Sequence, residues 1–254
     1  MTATLAARPG PLAALGAITS GQLSRARAAR GPLLFVATLQ SVGILLLLRG
    51  VVDEGSPATA RQVVAGATVL VVAFVALNLL AQRFGMLRGT DALDFYVALP
   101  VPAAAVVLGT AAAYASFTVP GAVVTAVTGC LLYGLPVSHL WVLVVVLPLS
   151  GAALAGLGAL LGLLAPRPEL ATMAGQLGMT LVLFLGIIPA DRMPGLLRAL
   201  RAIVPSTYGA DALAEALKPH PGMASVVADL AVCAVVGVVA LALASAAFRR
   251  VVRR

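Results

Sequence analysis

Three observations predict an all-α membrane protein with six transmembrane helices. The chain of 254 residues is 61% hydrophobic and only 10% charged, against about 25% charged residues in soluble domains. Apolar runs of membrane-spanning length recur along it, separated by short polar segments that leave almost no room for an extramembrane domain. The 17 Lys and Arg residues, which bring the formal charge to +8, fall mostly on one side once six spans are drawn. Residues 1–254 therefore read as a single transmembrane domain. A basic balance of this kind can signal nucleic acid, but here the charge is distributed as a membrane-orientation signal. Arg supplies every basic side chain except Lys218, a bias that suggests a bacterial genome of high GC content.

Taking the elements in order, residues 11–30 can form a helix with Leu12, Leu15, Ile18 and Leu23 toward one side. Arg25, Arg27 and Arg30 gather at its end. Segment 1–30 thus reads as a cytoplasmic amphipathic helix lying on the inner membrane surface. It lacks the compact apolar core and cleavage site of a signal peptide. The six spans are expected at about 32–52, 62–82, 101–135, 139–164, 170–188 and 225–248. The first can end with Arg49 snorkelling, and Asp53 to Pro57 forms a turn.

Arg83 to Pro100 is the most polar internal segment, and its charges require it to lie outside the bilayer. Thr90 is suited to cap a short helix, and Asp91 falls in the first turn, where its charge suits the dipole. Leu93, Phe95, Tyr96 and Leu99 give that helix an apolar side, with Asp94 beside it, and Pro100 stops it. Such a piece reads either as a docking helix or as an ordinary interfacial loop.

Val101 to Leu135 is uncharged over a length that one helix would extend well past the hydrocarbon core. Arg-rich segments at both ends of the chain want the same side, which requires an even number of spans. A single long helix, kinked at Pro120-Gly121, satisfies that parity. The fourth span carries Gly151, Ala155, Gly158 and Gly162 at helical spacing, the pattern of a tight helix–helix seam. In the fifth, Thr172, Gln176 and Thr180 share one face. They could line a substrate path or simply bond to a neighbouring helix or to their own backbone.

Residues 189–222 mix polarity with prolines and hold two short helices. Arg198 and Arg201 stand together on the first, Asp211 and Glu215 on the second. Joined at Pro205, they are expected to form a re-entrant hairpin between the fifth and sixth spans, with protein covering their polar groups. Asp229 is the one acid inside a span. It reads as a functional group, or as a solvated or Arg-paired residue near the outer end. With this arrangement eleven Lys and Arg lie inside and six outside, so both termini are expected in the cytoplasm and the protein in the plasma membrane.

Catalytic chemistry is hard to find. Lys218 is followed by Pro219, so no phosphate-cradling Gly-Lys-Ser/Thr exists. His139 and His220 are far apart in sequence, and no metal site or Ser/His dyad is expected. Cys130 and Cys233 lie in apolar runs and read as small buried hydrophobes.

The order of motifs resembles the permeases of ATP-binding-cassette (ABC) exporters of the second type. The basic amphipathic start is similar, as is Gly89-Thr-Asp-Ala-Leu-Asp-Phe-Tyr-Val-Ala-Leu-Pro-Val-Pro102 leading into a long third span. Leu160-Leu-Gly-Leu-Leu-Ala-Pro-Arg167 and Val204-Pro-Ser-Thr-Tyr-Gly-Ala-Asp-Ala-Leu213 complete the series. Two departures stand out: Arg88 replaces the acid that usually precedes the loop glycine, and Ala214 replaces a usual Arg.

The resemblance implies a bacterial transport subunit that moves a drug, lipid or glycan outward and has no ATPase of its own. It implies partners: cytoplasmic ABC ATPase subunits and a second permease subunit, identical or paralogous, within the lipid bilayer and without nucleic acid. Catalytic, cofactor and metal sites are expected to be absent from this chain, with ATP and Mg on the partner ATPase. Thr90, Asp91, Leu93, Asp94, Phe95 and Tyr96 would couple to that ATPase. Pro205, Thr207, Tyr208 and Asp211 would belong to an outer gate. Thr172, Gln176 and Thr180 would face the substrate path or the second permease. The competing readings are an ion-coupled secondary transporter, which wants acids near mid-membrane, and a membrane-embedded enzyme, which wants a catalytic constellation.

Overall fold

The structure is a computed structural model that describes residues 10–25, 27–50, 56–89, 101–188 and 193–252. Its helices are α1 (Pro11–Arg25), α2 (Arg27–Arg49), α3 (Pro57–Gly89), α4 (Ala103–Tyr133), α5 (Leu143–Leu164), α6 (Pro168–Ile187), α7 (Gly195–Ile203), α8 (Pro205–Ala216) and α9 (Met223–Val252). Among the described residues no strand is present. Six stretches are long and apolar enough to cross a membrane: Gly31–Arg49, Pro57–Gly89, Ala103–Tyr133, Val137–Leu164, Pro168–Ile187 and Met223–Val252. The expected all-α architecture with six spans is therefore what the chain adopts.

The uncharged run after Val101 forms one helix, α4, whose 31 residues continue through Pro120. At 1.5 Å per residue it is about 46 Å long, more than a hydrocarbon core requires. Gly134, with φ of +65°, ends it in the left-handed conformation that glycine adopts at least cost.

α3 is the buried axis. Val64, Val71, Val72, Ala76 and Leu80 along it have no exposed surface, and α2, α4, α5, α6 and α8 all pack on it. Its middle, Ala73–Leu79, winds as a π-helix, a local widening that frees backbone carbonyls from the regular ladder. α5 packs into that region through its small residues. A Cβ on Gly158 would lie 2.5 Å from the Leu77 carbonyl oxygen, and one on Gly162 would lie 2.5 Å from that of Ala81. The opposite face of α5 meets α9, where a Cβ on Gly156 would sit 2.6 Å from the Ala240 methyl. The expected seam is thus present, and it is double-sided: Gly158 and Gly162 serve α3 while Gly156 serves α9.

α2 and α6 are flanking helices. α2 buries Ala37, Ser41 and Leu45 at helical spacing and turns Phe35, Leu39 and Leu47 outward. α6 turns Met173, Leu177, Leu181 and Phe184 outward. α1 packs on the first turns of α4, near Gly109, with Ala14, Ile18 and Gln22 as its covered stripe. Leu12, expected on the same side, is instead 83% exposed. The close approach here is made by Gly109, whose missing side chain leaves room for Ile18.

These contacts define two ends. One gathers α1, the end of α3, the start of α4, the Ala165–Pro168 turn and the end of α9. There Phe84 and Phe248 meet edge-to-face at 6.3 Å. The other gathers the start of α3, the α7–α8 pair and the start of α9.

Candidate functional site

At the Arg88 end, the last turn of α3 is held by a charged side chain. Arg88 Nη1 donates to the carbonyl oxygens of Leu163 and Ala165, each at 2.8 Å. A helix leaves its last carbonyls without intrahelical partners and carries partial negative charge there. Arg88 supplies both a donor and a positive charge to the end of α5. Beside it, a Cβ on Gly89 would lie 2.5 Å from the Pro168 ring, so only glycine allows this approach. Arg88 and Gly89 together are therefore a structural clamp. The segment containing Thr90, Asp91, Leu93, Asp94, Phe95 and Tyr96 lies outside the described residues, immediately beyond that clamp.

In mid-bundle a short chain of amides crosses from α3 to α6. Gln82 Nε2 donates to Asn78 Oδ1 at 3.0 Å, and Asn78 Nδ2 donates to Gln176 Oε1 at 3.4 Å. Asn78 is buried and sits in the π-helical stretch, while Gln176 is exposed on the outward face of α6. Thr172 and Thr180, on the same face, each donate back to their own helix, to Pro168 and Gln176 carbonyls. Of the three stripe residues, only Gln176 reaches another helix. Side-chain amides link helices in lipid at about 0.6–2 kcal/mol each.

At the opposite end, α7 and α8 form a closed pair. Arg201 meets Asp211 in a two-pronged ion pair, Nη1 to Oδ2 at 2.6 Å and Nη2 to Oδ1 at 2.5 Å. Gln62 of α3 joins it, donating from Nε2 to Asp211 Oδ1 at 3.1 Å and to the Gly186 carbonyl at 2.9 Å. Three helices, α3, α7 and α8, are thus tied at one carboxylate, and Gln62 extends the tie to α6. Thr207 closes the joint by donating to the carbonyls of Arg201 and Val204 at 2.7 and 2.6 Å, and Tyr208 donates to that of Ala202 at 2.7 Å. These are the orphan carbonyls at the end of α7. Pro205 occupies the first turn of α8, where a missing N–H costs nothing. Gly209 lies against Ser150 Oγ of α5, with no space for a Cβ.

The polarity of α7 is inverted. Arg201 is its buried residue, while Leu196 and Ile203 are 75% and 76% exposed. A helix with this pattern is unstable in water and well suited to hydrocarbon, which solvates the leucines while protein shields the charge.

The like charges grouped on each short helix take different partners. Arg198 donates only weakly, to the Met193 carbonyl at 3.5 Å. Glu215 turns from Asp211 to Lys218, with which it forms an ion pair, and accepts from the Gly222 N–H at 3.2 Å. Burial works against the Glu215 carboxylate, but Lys218, the Gly222 N–H and Arg61 outweigh it and hold its pKa below the usual carboxylate value. These groups surround a cavity of about 440 Å³ that is also lined by Arg61, Gln62, Ser225 and Asp229.

A family model matches the chain over residues 14–217, and its description is ABC-2 type transporter. The chain belongs to the ABC-2 type transporter family. No curated protein matches it. ABC-2 chains are membrane subunits of transporters, and they generally pair with ABC ATPase subunits. Seen as a permease, the chain has a polar feature at each level: the Arg88 clamp, the amide chain and the Asp211 latch. Asp211 takes its basic partner, Arg201, from the preceding helix. Sequence reasoning overlooked Gln62, Asn78 and Gln82. Each is a lone amide at or within an apolar run, which is the signal that could have found them.

Proposed function

We propose that this permease subunit exports a hydrophobic or amphipathic substrate, a drug, lipid or glycan, across the bacterial plasma membrane. Energy would come from ATP and Mg bound to separate cytoplasmic ABC ATPase subunits, with a second permease, identical or paralogous, completing the path. The observation that carries this reading is the clamp at Arg88 and Gly89. It holds the root of the 90–100 segment against the end of α5, so a push on that segment reaches α3 and α5 directly. A loosely tethered loop could not transmit such a push. Both termini would be cytoplasmic, with α1 on the inner surface and α7–α8 dipping into the outer leaflet as a gate. The exposed stripe of Thr172, Gln176 and Thr180 would face the second permease or the substrate path, because lipid offers no partner for an amide.

In this reading Leu93, Phe95 and Tyr96 fill a groove on the ATPase, with Thr90, Asp91 and Asp94 around them. Aromatic anchors carry most of a small interface, on the order of 2 kcal/mol or more each. Phe95→Ala with Tyr96→Ala is expected to leave the permease inserted while releasing the ATPase or uncoupling its hydrolysis. Co-purification and substrate-stimulated hydrolysis in liposomes measure this. Normal values for both in the double variant would overturn the coupling assignment.

A further inference from the structure

The cavity beside the latch contains two charges that the latch does not use. Arg201 is committed to Asp211 and Lys218 to Glu215. Arg61 and Asp229, which line the same cavity, make no hydrogen bond or ion pair with any described residue. Arg61 stands in the second turn of α3, and Asp229 in the second turn of α9, within a stretch able to span a membrane. A carboxylate at such a depth is costly without a cationic partner, and among the described residues none is in ion-pair contact with it: the Arg201 charge that reaches it is already committed to Asp211. The cavity, about 440 Å³, lies within the range of small-molecule sites, about 300–1,000 Å³. Below Asp229, at helical spacing, α9 presents Val232, Val239 and Leu243, which are 36%, 51% and 54% exposed. One cation and one anion without a contacting counter-ion, and an apolar stripe leading away from them, match one chemistry.

We propose that this cavity binds the headgroup of an aminophospholipid, with the phosphate on Arg61, the primary ammonium on Asp229 and an acyl chain along Val232, Val239 and Leu243. Guanidinium–phosphate and ammonium–carboxylate contacts are the strong, charge-assisted kind. The lipid would fill the space beside the hairpin and brace α8 between α3 and α9. This rests on the hairpin lying within a leaflet, but it needs neither an ATPase nor transport. Its test is accordingly made on the permease alone.

The full-length permease, purified with mixed phosphatidylethanolamine and phosphatidylglycerol in equal amounts, is examined by native mass spectrometry for retained lipid. The wild type is expected to retain phosphatidylethanolamine in preference to phosphatidylglycerol, which carries phosphate but no ammonium. Asp229→Asn should weaken phosphatidylethanolamine retention about tenfold, the loss of one charge-assisted contact, and abolish the preference. Arg61→Gln should weaken both lipids. Equal retention of the two lipids by the wild type would overturn the proposal without recourse to any variant. So would an unchanged preference in Asp229→Asn. Failure of ATPase co-purification in the coupling experiment would leave this result untouched.

Discussion

Asp211 shows how one carboxylate can organise several helices. It accepts from both prongs of Arg201 and from Gln62, which in turn holds the carbonyl of Gly186. Arg201 is 8% exposed, so its charge is tolerable only while Asp211 is opposite. Removing one member of a buried pair strands the other, at a cost of about 3–5 kcal/mol, whereas replacing both with apolar groups is often close to neutral. Arg201→Met alone should therefore lower the thermal midpoint of the detergent-solubilised permease strongly. Arg201→Met with Asp211→Leu should recover most of the loss. If the double variant melts no higher than the single one, the pair is not the organising contact of this end. Arg88 illustrates the same principle at the other end, where one guanidinium takes up two carbonyls at the end of a helix.

At the scale of elements, α3 and α5 are joined by backbone rather than by side-chain interdigitation. Gly158 and Gly162 approach the Leu77 and Ala81 carbonyls so closely that a side chain could be accommodated only by separating the helices. Backbone carbonyls cannot rotate aside as a leucine would, and overpacking typically costs about 1–3 kcal/mol or more. Gly162→Leu is expected to reduce folded, monodisperse permease and its thermal midpoint. Gly43→Ala in α2 meets nothing within 4 Å and serves as the neutral comparison. A Gly162→Leu protein as stable as that control would contradict the close seam. The π-helical stretch belongs to the same element pair: it brings Ala76 and Leu77 to Gly158 and presents Asn78 to Gln176.

For the whole molecule, the two ends differ in what they offer. One holds Arg88, Arg249 and the α1 contact with α4, and the other holds the latch and the charged cavity. If the first end is cytoplasmic, single cysteines at Ser138 and Ser225, both exposed at the second end, should react with an impermeant thiol reagent in whole cells, after Cys130 and Cys233 are replaced. Cysteines at Thr90 and Pro168 should react only once the membrane is opened. Labelling at Thr90 in intact cells would reverse the orientation and remove the basis for ATPase coupling there.

The sequence alone determined whatever depends on composition along one dimension. Runs of apolar residues longer than a bilayer is thick leave the backbone no option but helix, because lipid supplies no hydrogen bonds. The six spans were legible for that reason, and the family from the order of its motifs along the chain. Hydroxyls and amides were not, because a polar side chain in lipid takes whichever partner three-dimensional packing brings near. Thr172 and Thr180 turned back to their own helix, while Gln176 found Asn78 from a helix 98 positions away in sequence. Spacing placed Arg201 near Arg198 and Asp211 near Glu215, and the fold joined Arg201 to Asp211 across two helices while Glu215 paired with Lys218. Desolvation decided this: a buried charge keeps the neighbour that neutralises it, and which neighbour is within reach is a property of the tertiary structure.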